Sequence, residues 1–113
     1  MAVFASRQIV IPPPISVTIT GTGDADYCYA TINGTKQYEA GTHEVNAGDT
    51  IMFLVLGSSS NSYGSVTINE TVVMRVTSGT TQTYDWTVPS GISTIEISMT
   101  SEPLYSRITV TTA

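Results

Sequence analysis

The chain has 113 residues and carries four Lys or Arg against nine Asp or Glu, a formal net charge of −5. That length supports one domain with one core. With only Arg7, Lys36, Arg75 and Arg107 as cations, no basic stripe exists to displace counterions from phosphates, which argues against nucleic acid and disfavours anionic membrane as partners. Charged residues make up 12% of the chain while Thr (19) and Ser (13) abound, so solubility rests on hydroxyls and amides. Such a surface also suits packing among other subunits. The longest apolar run falls far short of the roughly 20 residues a membrane span needs. The single cysteine, Cys28, rules out an intramolecular disulfide.

Residues 1–14 read as an extended N-terminal arm, separate from a domain over 15–113. Val3, Phe4, Ile9, Val10 and Ile11 are apolar, and Pro12-Pro13-Pro14 closes the segment. Three prolines favour a polyproline II path and donate nothing to a ladder. Such an arm packs either on its own sheet or on a neighbour. The segment also lacks a basic region followed by a long apolar stretch and a small-residue cleavage site, so the expected place of synthesis is the cytoplasm, without an export signal.

Ile15 to Thr20 alternates apolar with hydroxyl side chains, a half-buried strand with Ile15, Val17 and Ile19 inward. Gly21 to Asp26 is a turn. Tyr27 to Ile32 then puts Cys28, Ala30 and Ile32 on one face and Tyr27, Tyr29 and Thr31 on the other. Asn33-Gly34 predicts a tight hairpin, since both residues accept positive φ. Short strands over 35–39 and 42–45 lead through Asn46 to Asp49 into the chain's most apolar stretch, Ile51 to Leu56. Six consecutive apolar residues between turn signals predict a strand covered on both faces. Gly57 to Gly64 reads as a flexible polar loop tipped by Tyr63.

Strands over 65–69 and 71–77 form the next predicted hairpin, with Val72, Met74 and Val76 on one face. Strands over 81–88, 92–99 and 106–111 complete the chain, and residues 100–105 read as a loop. Either Trp86 or Phe53 is expected at the centre of the core. No segment shows helical periodicity, and the expected fold is an Ig-like antiparallel β-sandwich of about seven to ten short strands.

Two stretches carry a resemblance. Residues 29–57, YATINGTKQYEAGTHEVNAGDTIMFLVLG, combine an I-N-G-T hairpin with a G-D-T turn launching an apolar strand, and this is similar to PEGA-type Ig-like surface modules. Residues 65–76, SVTINETVVMRV, followed by TYDWTVPSGISTIEISMTS to residue 101, resemble small Ig-like domains in virion proteins of tailed bacteriophages. The resemblance implies a non-enzymatic structural protein of a phage or prophage virion, a head decoration or tail-associated subunit. Its partners would be other virion proteins or copies of itself, and its place the virion, after synthesis in the host cytoplasm.

Chemistry-bearing residues are few. His43 has no nucleophile or orienting carboxylate in its neighbourhood, Cys28 has no cation to activate it, and no zinc ligand set exists. Asp24 and Asp26 lie in a Gly-rich turn and read as Asx-turn residues rather than calcium ligands. Asp85 and Glu96 are expected on adjacent strands, an exposed acidic pair with no cleft. No catalytic residue, metal or cofactor is therefore expected. The interface candidates are Phe4, Ile9, Val10 and Ile11 in the arm, with Tyr27, Tyr29 and Tyr63 as tyrosines that either cap the sheet edge or fill an interface. A second reading uses those tyrosines to stack on surface glycans.

Overall fold

Alternating apolar and hydroxyl side chains are strand throughout, and among the described residues there is no helix. The computed structural model describes residues 13–113, so the expected contacts of Phe4, Ile9, Val10 and Ile11 lie outside the described residues. Ten strands follow in order: β1 (Ile15–Thr22), β2 (Cys28–Ile32), β3 (Thr35–Gln37), β4 (Gly41–Val45), β5 (Thr50–Gly57), β6 (Gly64–Ile68), β7 (Thr71–Val76), β8 (Thr80–Thr87), β9 (Thr94–Glu102) and β10 (Tyr105–Thr112). The loop expected over 100–105 shrinks to a turn at Pro103-Leu104, because β9 and β10 continue pairing as far as Glu102 and Tyr105.

All ten belong to one curled sheet whose main path runs β3-β2-β5-β10-β9-β1-β4. β6 adds to β10 and carries β7, while β8 adds to β5. The sheet is mixed, which corrects the antiparallel expectation: β1 runs parallel to β9, and β6 parallel to β10. These pairs join strands distant in sequence, so no tight hairpin constrains their direction. The row β4-β1-β9-β10-β6-β7 meets the row β3-β2-β5-β8 at a single residue pair, Tyr105 with Gly57.

The inward faces of both rows form one core. Ile15, Val17 and Ile19 of β1 pack with Ile95, Ile97 and Met99 of β9 and with Ile108 and Val110 of β10. From the other row come Cys28, Ala30, Ile51, Phe53 and Val55. Phe53 is the largest fully buried side chain, whereas Trp86 sits half-buried at the rim, its ring centroid 6.3 Å from that of Phe53. Full burial of a side chain such as Phe53 contributes roughly 1.5–3 kcal/mol. The second face of β5 is covered in part. Met52, Leu54 and Leu56 point outward and stay half-buried, with Thr31, Tyr29, Asp85, Thr83 and Thr81 as their described neighbours across the ladder.

β7 also differs from strict alternation. A bulge between Val66 and Thr67 shifts the β6–β7 register, setting Met74 opposite Val66 and Val72 opposite Thr67. Val72 is consequently 57% exposed, and Val73 and Met74 are both half-buried. A bulge turns the side chains beyond it to the other face, which no alternation pattern announces.

Two hairpins share one turn geometry. Asn33 and Gly34 have φ of 51° and 79°, the type I′ form their sequence predicts. Asn69 and Glu70 adopt the same form at 48° and 69°, although Glu is a poor residue for positive φ. Asn69 is held from outside: its side-chain oxygen accepts from the Thr112 amide at 2.9 Å and its side-chain nitrogen donates to the Thr112 hydroxyl at 3.0 Å.

Where the rows meet, Gly57 and Gly64 lie so close that a Cβ on Gly57 would overlap the Val76 carbonyl oxygen and the Gly64 nitrogen. Gly57→Ala should therefore cost roughly 3 kcal/mol or more, read as a lowered urea midpoint; a loss below about 1 kcal/mol would show that the rows can move apart there. Relieving the strained turn should act oppositely. Glu70→Gly is expected to add about 1 kcal/mol in the same assay at unchanged slope.

Candidate interaction surface

The tyrosines are the first residues to place. Tyr29 shares the outward face of β5 with Leu54, as the alternation implied, but it is only 7% exposed. Lys36 covers it, with Nζ 4.6 Å from the ring centroid. Tyr27 lies in the turn before β2 and is half-buried. The exposed Tyr27–Tyr29 pair expected from sequence is therefore not presented, because the neighbouring strand β3 lays a lysine stem over the platform.

Tyr63 is not a loop tip. The loop after β5 closes on itself, with the Ser58 amide donating to the Ser62 carbonyl at 2.8 Å, and its outer residues are Ser60 and Asn61. Tyr63 folds back half-buried beneath two guanidinium groups, Arg75 at 4.0 Å and Arg107 at 5.1 Å from its centroid. Arg107 also lies 4.9 Å from the Tyr105 ring. Arg75 donates to the Ser60 carbonyl at 3.3 Å, which fixes the loop onto β7. The sheet register puts Arg75, Ser65, Arg107 and Thr100 in one row across β7, β6, β10 and β9, so both cations face neutral neighbours directly across the strands. Each described cation of the chain thus lies over a tyrosine, an arrangement contributing roughly 0.5–1 kcal/mol per exposed pair. Sequence spacing gave no signal of this cluster, since its members come from three separate segments.

The remaining candidates are placed as follows. The Asp26 amide donates to Asp24 Oδ1 at 2.7 Å, the Asx-turn chemistry read from the sequence. Asp85 and Glu96 do not face each other: Asp85 of β8 pairs with Met52 of β5, and Glu96 of β9 lies between Thr18 and Thr111. The expectation failed because the strands on either side of Pro89, β8 and β9, belong to different rows. His43 is half-buried opposite Val17 on β4. Among the described residues no group of three His, Cys, Asp or Glu side chains could hold a metal ion.

A shallow depression of about 300 Å³ is lined by Pro13, Ile15, Ala47, Ser90, Gly91 and Ile92. It marks the point where the chain enters β1, beside the loop that follows β8. The edges of the sheet are the other conspicuous surface. Among the described residues β3, β4, β7 and β8 each pair on one side only. β3 has three residues, β4 five and β7 six, and the β6–β7 ladder is broken by its bulge. β8 has eight, all in unbroken register with β5. It contains no Pro, Gly or Lys, the residues that usually blunt an edge.

Comparison with protein-family models, with curated proteins and with solved structures found no match.

Cys28 is buried, and desolvation pushes its thiol up from an ordinary 9.0 to about 11; a hydrogen bond with Ser106 opposes that shift and the Asp24 carboxylate adds to it. Because the native thiol binds its proton more tightly than the unfolded one, stability is lost as pH rises from about 9 towards 11. Wild type is expected to lose urea stability relative to Cys28→Ala across that window. Equal pH dependence of the two proteins would show that Cys28 titrates normally.

Proposed function

We propose that the chain is a non-enzymatic structural subunit of a tailed-phage or prophage virion, a head decoration or tail-associated module. It is held in place through residues 1–14 and through its sheet edges. The observation that carries this reading is the sheet itself: among the described residues it ends on strands paired on one side only, and the longest of them lacks Pro, Gly and Lys. An open edge offers backbone donors and acceptors to an added strand, with side-chain pockets setting register. The resemblance of residues 29–57 and 65–101 to Ig-like modules of virion proteins supports the same assignment. So do the two strand rows, whose inward faces share one core in the manner of an Ig-like sandwich. The sparsely charged, hydroxyl-rich exterior fits a subunit that spends its life against neighbours.

The second reading, a carbohydrate- or cell-surface-binding module, has less support. Tyr29 is covered and Tyr63 lies under two guanidinium groups, so neither ring offers an open face to a sugar.

Deleting residues 1–14 provides the test. The truncated chain should keep its far-ultraviolet circular dichroism and thermal midpoint, since residues 15–112 supply all ten described strands and a contiguous buried core. By mass photometry at micromolar concentration it should be monomeric where the full chain associates. A truncated chain that assembles like the full one, or a full chain that is monomeric with no partner, would overturn the reading.

A further inference from the structure

We infer that the N-terminal twelve residues of a second copy of this chain add as a strand along the free edge of β8, with Arg7 of that copy set against Asp85. This rests on the assembly reading above and names the surface that reading requires.

Four features of β8 single it out. Its eight residues, Thr80–Thr87, pair with β5 without interruption, and among the described residues no strand pairs with its other side. On its inner face Tyr84 and Trp86 are only half-buried, although they pack against the core. The core is thus left open at this margin, and an added strand would close it. On its outer face Thr81, Thr83 and Asp85 stand beside the half-buried row Leu56, Leu54 and Met52, which the sequence leads one to expect covered. The other edges fit less well. β3 and β4 are shorter, and β7 carries a broken ladder and the cation Arg75.

The segment outside the described residues matches this edge in length, charge and pattern. Twelve residues can span up to about 40 Å when extended, more than the roughly 27 Å of an eight-residue strand. Its one charge is Arg7, and the one charge on β8 is Asp85. With those two opposed, side chains alternate so that Phe4, Gln8 and Val10 fall on the face of Tyr84 and Trp86. Ile9 and Ile11 fall on the face of Met52 and Leu54. A second copy is the donor because Pro12-Pro13-Pro14 favours a straight polyproline path, carrying the segment away from its own domain. Pro13 lies beside Ser90, Gly91 and Ile92, just past the end of β8, so its own strand would have to reverse at those prolines to reach that edge.

The test is a charge swap in the full chain. Asp85 is exposed, so Asp85→Arg should leave the circular dichroism and thermal midpoint unchanged. Asp85→Arg and Arg7→Asp should each raise the midpoint concentration of association about ten-fold or more, because like charges then oppose. The double variant should recover most of the loss. In hydrogen exchange the β8 amides should gain protection as wild-type concentration rises, and should not in the chain lacking residues 1–14. If that deletion abolishes association while neither charge variant shifts it, the β8 assignment is overturned and the assembly reading stands. Protection of β8 that is independent of concentration would mean that the segment occupies its own edge, which also overturns the proposal. A deletion that leaves association intact removes the assembly reading itself.

Discussion

The structure depends on one joint, the place where β10 passes from one strand row to the other. A single residue pair, Tyr105 with Gly57, is all the ladder the two rows share. Beside it the buried Ser106 hydroxyl accepts from the Leu56 amide and donates to the Tyr27 carbonyl, each at 2.9 Å. One side chain therefore satisfies a donor on β5 and an acceptor before β2, where the curl of the sheet leaves no strand to do so. Leaving either buried group unpaired costs roughly 1–3 kcal/mol. Gly57 and Gly64 let β5 approach the start of β6 and the Val76 carbonyl closely beside this joint. Cys28 lies in the same knot, its sulfur 3.8 Å from the Thr100 carbonyl oxygen. Its raised thiol is a consequence of the tight packing there, not a sign of reactivity.

From that joint the rest of the architecture follows. Curling the two rows against each other buries Phe53, Ile51 and Val55 on one side and Ile97, Ile108 and Val110 on the other. Among the described residues the same curl leaves both rows with outer strands paired on one side only, because β8 does not close onto β7, nor β3 onto β4, by hydrogen bonding. A closed barrel would have no such edges. The geometry that makes the core thus also makes the surface to which assembly is ascribed.

Much of this was legible in the sequence, for reasons that are local. The period-two pattern of Ile15 to Ile19 and of Ile95 to Met99 fixes which side chains enter the core, and Asn33-Gly34 states its own turn. The Asx turn at Asp24 needs only its near neighbours. What could not be read depends on partners far apart along the chain. Parallel pairing of β1 with β9 joins residues about eighty positions apart, and no local signal distinguishes it from antiparallel pairing. The bulge that exposes Val72 is invisible in TVVMRVT, whose letters alternate well enough. Tyr29 looked presentable because its face was known, but the cover over that face, Lys36, comes from the next hairpin strand. The stacking of Tyr63 beneath Arg75 and Arg107 likewise needed three loops and strands to converge. Faces are written in sequence, whereas what lies over a face is not.

The exterior has its own logic. The register lines up Thr20, Ser98, Thr109 and Thr67 in one hydroxyl row across β1, β9, β10 and β6. Threonine is β-branched and suits a strand, and it keeps the face wet without carrying charge. Burying a hydroxyl against a neighbour costs far less than burying an unpaired ion, and its donor and acceptor adapt to whatever lies opposite. The described cations are withdrawn onto tyrosine rings, which further lowers the charge a neighbour would have to desolvate. A freely diffusing protein gains colloidal stability from an exterior rich in both signs of charge. This chain forgoes that advantage over most of its sheet, a choice that makes physical sense when its surroundings are other protein surfaces rather than open solvent.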